Sequence, residues 1–122
     1  ADQAEADTKD LNGFQLNVCL SYGGRSEIVR ACKKIASDVR LGKLDEDMIN
    51  ESTFSRYLSS QFPRDPDIVI RTSGELRISN FLMYQIAYSE LFFVKKMWPE
   101  VTREDLHAII NAYIIRDRRK GT

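Results

Sequence analysis

Histidine occurs once and cysteine twice in the 122 residues. With His107 alone, no histidine cluster can hold a metal. Cys19 and Cys32 lack the close spacing of zinc sites. Each falls in an apolar pattern, so both read as small buried hydrophobes of a reducing compartment rather than as a disulfide. Neither charge is in excess, with 18 Lys+Arg against 18 Asp+Glu. A general nucleic-acid surface shows a basic surplus, so that class is excluded and any anion site must be local. No apolar run approaches the roughly 20 residues that span a bilayer, and no stretch reads as a secretory leader. Internal repeats, low-complexity segments and interdomain linkers are also missing. What is present is 43% apolar residues, which suits one folded core of modest size.

Apolar patterning divides that core into elements. Leu16 to Leu20 is a short apolar run ended by Ser21-Tyr22-Gly23-Gly24, and reads as a buried strand. Ser26 can cap a following helix on which Ile28, Cys32, Ile35 and Val39 recur at helical spacing, with Gly42 ending it. A weaker helical stretch runs from about Glu46 to Ser60, with a break near Ser52. Pro63 to Asp67 is a turn, and Ile68 to Ile70 a second strand. Ser79 or Asn80 can cap a helix from Phe81 to about Ser89. Leu91 to Val94 is a third strand. Thr102-Arg103-Glu104-Asp105 resembles a capping box, opening a last helix with Leu106, Ile109, Ile110, Tyr113 and Ile114 on one face. Apolar strands alternating with helices predict an α/β fold, a parallel sheet flanked by helices.

The chemistry concentrates where the second strand ends, at Arg71-Thr72-Ser73-Gly74-Glu75-Leu76-Arg77-Ile78-Ser79. Ligands of open parallel sheets bind beyond the carboxyl ends of strands. Arginine presents a fork of donors that matches phosphate oxygens. Gly74 lets the backbone turn tightly, and Ser79 at a helix start would place an anion near free amides. The plainer reading is a solvated loop in which Arg71 and Arg77 pair with Glu75 or Asp67. Spacing alone leaves both open. The segment is neither a Walker loop nor a dinucleotide fingerprint.

As a motif, Arg71-Thr72-Ser73-Gly74-Glu75-x-Arg77-Ile78-Ser79-Asn80-Phe81-Leu82, with Gln85-x-Ala87-Tyr88-Ser89-Glu90-Leu91 and Trp98-Pro99, closely resembles the cis-prenyltransferases, the undecaprenyl and dehydrodolichyl diphosphate synthase family. Ser21-Tyr22-Gly23-Gly24-Arg25-x-Glu27-Ile28 resembles that family's asparagine-tyrosine-glycine-glycine-arginine segment, with Ser21 in place of asparagine. Pro66-Asp67 fits, as does Arg116-x-Arg118-Arg119-Lys120-Gly121.

The resemblance implies an enzyme that condenses isopentenyl diphosphate with an allylic diphosphate of the farnesyl type, forming polyprenyl diphosphate. Arg71, Gly74, Arg77 and Ser79 would hold the diphosphate of isopentenyl diphosphate. Glu90 would be the carboxylate that helps bind Mg²⁺. Glu75 would orient the arginines or share in the metal and water network. Arg119 and Gly121 match a tail motif that crosses to a dimer partner's site, as opposed to a basic helix end facing the dipole. Leu76 stands where many members are polar. For Tyr88, Phe92, Phe93 and Trp98, core or subunit packing is the expected role, and for His107 a solvated helix face.

The family's aspartate-glycine-asparagine-glycine-arginine segment, which serves the allylic diphosphate, has no counterpart in residues 1–122. The expectation is therefore the carboxyl-terminal portion of a single cis-prenyltransferase domain, inactive alone, with a homo- or heterodimeric parent. The product lipid implies cytoplasmic work, peripheral to a membrane face. The rival readings are a non-catalytic subunit of a heteromeric prenyltransferase and an unrelated phosphate-binding α/β domain.

Overall fold

The computed structural model describes residues 2–60, 62 and 64–116. In chain order it contains α1 (Asp2–Thr8), α2 (Gly24–Arg40), a 3₁₀ turn at Glu46–Met48, α3 (Glu51–Tyr57), β1 (Ile68–Arg71), β2 (Glu90–Phe93), a 3₁₀ turn at Trp98–Glu100 and α4 (Arg103–Ile115). β1 and β2 pair in parallel, with Ile68 opposite Glu90 and Arg71 opposite Phe93. The predicted parallel α/β arrangement is thus present.

α2 packs on α3, and the buried apolar side chains are Ala31, Ile35, Leu58, Leu82, Ile86 and Ile109. The inward stripe of α2 runs through Glu27, Ala31 and Ile35, a spacing of four that keeps all three on one side. This stripe lies beside the one the apolar pattern suggests. Cys32 is exposed as a result, and Cys19 is exposed on an open segment, both as free thiols. The expectation of buried cysteines is therefore corrected. Gly42 ends α2 as expected, with φ +67 just past the Leu41 cap, the left-handed turn that glycine tolerates.

Three expected elements differ. Leu16–Leu20 is not a strand and pairs with none among the described residues. With no strand beside it among the described residues, Leu16, Val18 and Leu20 are left exposed. The 46–60 stretch breaks at Asn50, not Ser52, because the Asn50 side chain accepts the amide of Thr53 and starts α3. Residues 81–89 form successive turns instead of a helix. Positive φ at Ser79, Asn80 and Leu82 breaks the right-handed path a helix needs at its start.

Candidate diphosphate site

Arg71 closes β1, and its carbonyl accepts the amide of Val94 at 2.8 Å. The chain then reverses through Ser73 and Gly74, both in the left-handed region at φ 67 and 68. The Ser73 amide donates to Lys96 O at 2.8 Å and the Gly74 amide to Val94 O at 2.9 Å. The turn is thereby sewn to the chain leaving β2. A Cβ at position 74 would meet nothing within 4 Å, so Gly74 serves through its φ and not through a close approach. With these amides committed, an anion at this end of the sheet meets side chains.

Those side chains border a cavity of about 210 Å³, whose lining includes Arg71, Arg77, Ile78, Phe81, Leu91 and Phe93. Arg71 Nε is buried and has no hydrogen-bond partner among the described residues. A buried N–H without an acceptor is costly. Arg77 pairs with Glu75 on the exposed side, the pairing that the solvated-loop reading foresaw for this residue. Asp67 is engaged elsewhere, by Arg64 at 2.9 Å and by the Tyr113 hydroxyl at 3.1 Å. Two guanidinium groups set among apolar walls suit a small ligand with an anionic head and a short hydrocarbon body.

Ser79 follows Ile78 of the cavity wall but is exposed, at φ 49. It does not start a helix, so the expected helix-end anion site is absent from this position. The free amides nearby belong to α2, and Asn80 takes them. Its carbonyl accepts Gly24 N and its Oδ1 accepts Arg25 N, each at 2.8 Å. Ser26 does not cap α2, whose N-cap is Gly23 without a side-chain bond. The bare glycines make this docking possible. A Cβ on Gly23 would come within 2.9 Å of Asn80 Nδ2, and one on Gly24 within 3.1 Å of Asn80 O.

Glu90 stands apart from the arginines. It opposes Ile68 at the amino end of β2, three register positions before the Arg71–Phe93 pair. Its carboxylate accepts Arg116 Nη1 at 2.6 Å, and the same guanidinium lies 4.3 Å from the Phe92 ring centre. Tyr88 and Trp98 are exposed, so neither packs in the core of this chain, and His107 is exposed on α4. Arg119 and Gly121 lie outside the described residues. Among the described residues no three His, Cys, Asp or Glu side chains converge as a metal cage. A Mg²⁺ ion that rides on substrate phosphates and water needs only one or two carboxylates; the two expected in that role, Glu75 and Glu90, are each paired with an arginine, Arg77 and Arg116.

One residue of the neighbourhood carried no role in the sequence reading. Glu27, in the first turn of α2, is 1% exposed. It accepts Tyr22 Oη at 2.5 Å, Ser59 Oγ at 2.8 Å, both Ser60 N and Ser60 Oγ at 2.7 Å, and Gln85 Nε2 at 3.0 Å. Burial pushes its pKa upward, but the bonds from Tyr22, Gln85 and Ser60 outweigh burial and hold it at about 2. Burial, with Glu27 beside it, pushes the Tyr22 phenol above its ordinary range. The signal in the sequence was an acid four and eight residues before Ala31 and Ile35, on the face that turns inward.

Comparison with known proteins places the chain in a family. The family model of undecaprenyl diphosphate synthase matches residues 1–121. A tritrans,polycis-undecaprenyl-diphosphate synthase (geranylgeranyl-diphosphate specific) of Pyrococcus horikoshii is 55% identical over 120 residues, covering 98% of this chain and 46% of its own length. An isoprenyl transferase of Clostridium perfringens is 49% identical over 114 residues, covering 93% of this chain and 45% of its own length. The crystal structure of lavandulyl diphosphate synthase from Lavandula x intermedia, in complex with dimethylallyl diphosphate, superposes with a TM-score of 0.89 at 36% identity, covering 97% of this chain and 51% of that one. The chain spans about half the length of the curated relatives it matches. Match, identity and superposition agree that the chain belongs to the undecaprenyl diphosphate synthase family, the cis-prenyltransferases.

Proposed function

We propose that this chain carries the isopentenyl diphosphate site of a cis-prenyl chain-elongating enzyme, which joins isopentenyl diphosphate to an allylic diphosphate and yields polyprenyl diphosphate. The observation that carries the reading is the buried Nε of Arg71, without a hydrogen-bond partner among the described residues, in an apolar-walled cavity that Arg77 also lines. A diphosphate oxygen would satisfy that donor. The C5 hydrocarbon would lie among Ile78, Phe81, Leu91 and Phe93, all of them cavity-lining residues. Arg77 would leave Glu75 for the phosphate, and Ser79 would add a hydroxyl donor. Gly74 sets the turn that brings Glu75 and Arg77 back over the strand end.

Glu90 is the residue we assign to Mg²⁺, with Glu75 as orienter of the arginines. The ion, when bound, would neutralise phosphate charge and aid departure of the allylic diphosphate. Within the chain, the arginines restrain the diphosphate and so aim the homoallylic end of the substrate. The allylic partner is of the farnesyl type in the sequence reading, and the archaeal relative's name specifies geranylgeranyl diphosphate.

At about half the length of these relatives, the chain supplies one of the two substrate sites in this reading. A homo- or heterodimeric assembly fits Leu106, Ile110 and Ile114, which α4 leaves exposed, and Arg119 and Gly121 would reach the partner's site. Among the described residues no helix is long and apolar enough to cross a membrane. We place the protein in the cytoplasm, peripheral to a membrane face.

Calorimetric titration tests the reading. Isopentenyl diphosphate with Mg²⁺ is expected to bind the 122-residue chain in preference to nucleoside and sugar phosphates. Arg71→Ala is expected to weaken it about tenfold or more, as loss of a charge-assisted bond of roughly 1.5–3 kcal/mol requires. Equal binding of all phosphates, or indifference to Arg71→Ala, would overturn it. With an allylic diphosphate and labelled isopentenyl diphosphate, the isolated chain is expected to show no elongation.

A further inference from the structure

Glu27 is the one fully buried charged side chain among the described residues, and none of its donors is a cation. A buried carboxylate is tolerated only when hydrogen bonds replace its water. Here donors arrive from three separate parts of the chain. Tyr22 precedes α2, Ser59 and Ser60 follow α3, and Gln85 belongs to the turns that leave the arginine loop. All of them meet at this carboxylate, with Gln85 Nε2 also donating to Ser60 Oγ, and it sits in the first turn of α2 where the helix dipole also favours negative charge.

The bonds converge on the segment beside the candidate site. Residues 80–85 are fixed at three points to α2 and to Tyr22 before it. Asn80 takes the amides of Gly24 and Arg25. Gln85 reaches Glu27 at 3.0 Å. Tyr22, whose hydroxyl is held by Glu27 at 2.5 Å, sets its ring edge-on to Phe81 at 5.9 Å between centres. Phe81 is part of the cavity wall, and Ser79 immediately precedes Asn80. The chain at and just before these anchors is left-handed at Ser79, Asn80 and Leu82, a path that non-glycine residues keep only when their surroundings enforce it.

We propose that Glu27 is a positioning residue for diphosphate binding, whose carboxylate fixes Tyr22 and Gln85 and thereby the placement of Phe81 in the cavity wall and of Ser79 beside it. The inference rests on the reading of the cavity as a diphosphate site. Glu27 touches no substrate atom in it. Loss of the negative charge loosens Tyr22 and Gln85 and lets Phe81 and the turns after it shift, with Ser79 beside them, while Asn80 keeps its bonds to Gly24 and Arg25 and Arg71 stays on β1.

The test is titration of the 122-residue chain with isopentenyl diphosphate and, separately, inorganic pyrophosphate, in Mg²⁺. Folding of each variant is verified by circular dichroism, and the amides of Ser79 and Asn80 are followed by NMR. Glu27→Gln is expected to weaken isopentenyl diphosphate about tenfold and to shift both amides, in a protein that remains folded at the temperature of the titration. Tyr22→Phe/Ser59→Ala removes two donors but keeps the ring, and is expected to weaken binding about threefold. It serves if Glu27→Gln does not fold. Unchanged affinity with unmoved Ser79 and Asn80 amides, in either folded variant, would overturn the inference. Arg71→Ala separates the two levels. If it abolishes binding while the Glu27 network variants bind like wild type, the site stands and the positioning role falls. If wild type binds neither diphosphate, the site reading falls and takes this inference with it.

Discussion

The amide of Arg25 donates to the side-chain oxygen of Asn80 at 2.8 Å, across 55 positions of sequence. With the Asn80 carbonyl on Gly24 N at 2.8 Å, this single residue caps α2 from outside the helix. The motif around the double glycine and the motif around the arginines are therefore one structural unit. Neither glycine is there for an unusual φ. Each is there because the other segment lies against it.

Gly24→Ala tests that unit directly. Its new Cβ would lie 3.1 Å from both Asn80 O and Met83 N, backbone atoms with little freedom to retreat. Overpacking of this kind costs about 1–3 kcal/mol. Urea unfolding is expected to show a loss in that range with an unchanged slope. Isopentenyl diphosphate affinity should fall as well. A variant as stable as wild type would mean that the two segments can part without cost.

The Glu27 carboxylate predicts the response to acid. Its folded pKa is about 2 against an ordinary 4.5, so the folded state binds this proton less readily than the unfolded chain. The stabilisation is complete above about pH 5. It is lost as the pH falls from the unfolded value through the folded one, and amounts to on the order of 3 kcal/mol. Chemical denaturation from pH 6 to pH 2 should therefore show a steep fall in wild type. Glu27→Gln should start less stable and have a flatter profile. Parallel profiles would place the acid sensitivity elsewhere.

Much of this was readable beforehand because it is local. The β-branched run Ile68-Val69-Ile70 gives β1. The capping box is complete, with Thr102 Oγ1 accepting Asp105 N at 3.3 Å and Asp105 Oδ2 accepting Thr102 N at 2.8 Å. It opens α4 one residue on. The arginine loop was legible from residue type and its place after a strand. What failed depends on distant neighbours. Ser79 and Asn80 look like helix caps, and Asn80 is one, but for a helix that begins 56 residues earlier. Glu27 looks like an ordinary first-turn acid until Tyr22, Ser60 and Gln85 close over it. Leu16–Leu20 has the pattern of a buried strand, yet pattern cannot supply the strand beside it.

The Arg116–Glu90 bond of 2.6 Å bears on the metal assignment. A carboxylate held by arginine is not free to take a cation, so Mg²⁺ at Glu90 has to displace Arg116. Isopentenyl diphosphate is expected to bind several-fold more weakly after chelation of Mg²⁺. Glu90→Gln should abolish that dependence on Mg²⁺ while leaving metal-free affinity near wild type. If the variant retains the full Mg²⁺ effect, the ion is held by another group, and Glu75 becomes the candidate beside Arg77.

The segment around Leu16–Leu20 gives the last expectation. Phe14 is 93% exposed and Leu16, Val18 and Leu20 lie at 67–75%, an alternating apolar row with no strand beside it among the described residues. Such a row is a template for association. Amides 14–20 should exchange with solvent near the rate of an open chain, while those of Val69–Arg71 and Leu91–Phe93 are protected. Val18 is 67% exposed, so Val18→Lys should move the unfolding free energy by less than about 0.5 kcal/mol. The same change should reduce dye binding to exposed apolar surface and lower self-association in sedimentation velocity. Strong protection of amides 14–20 in the dilute chain, or a large destabilisation by Val18→Lys, would show that this row is already covered.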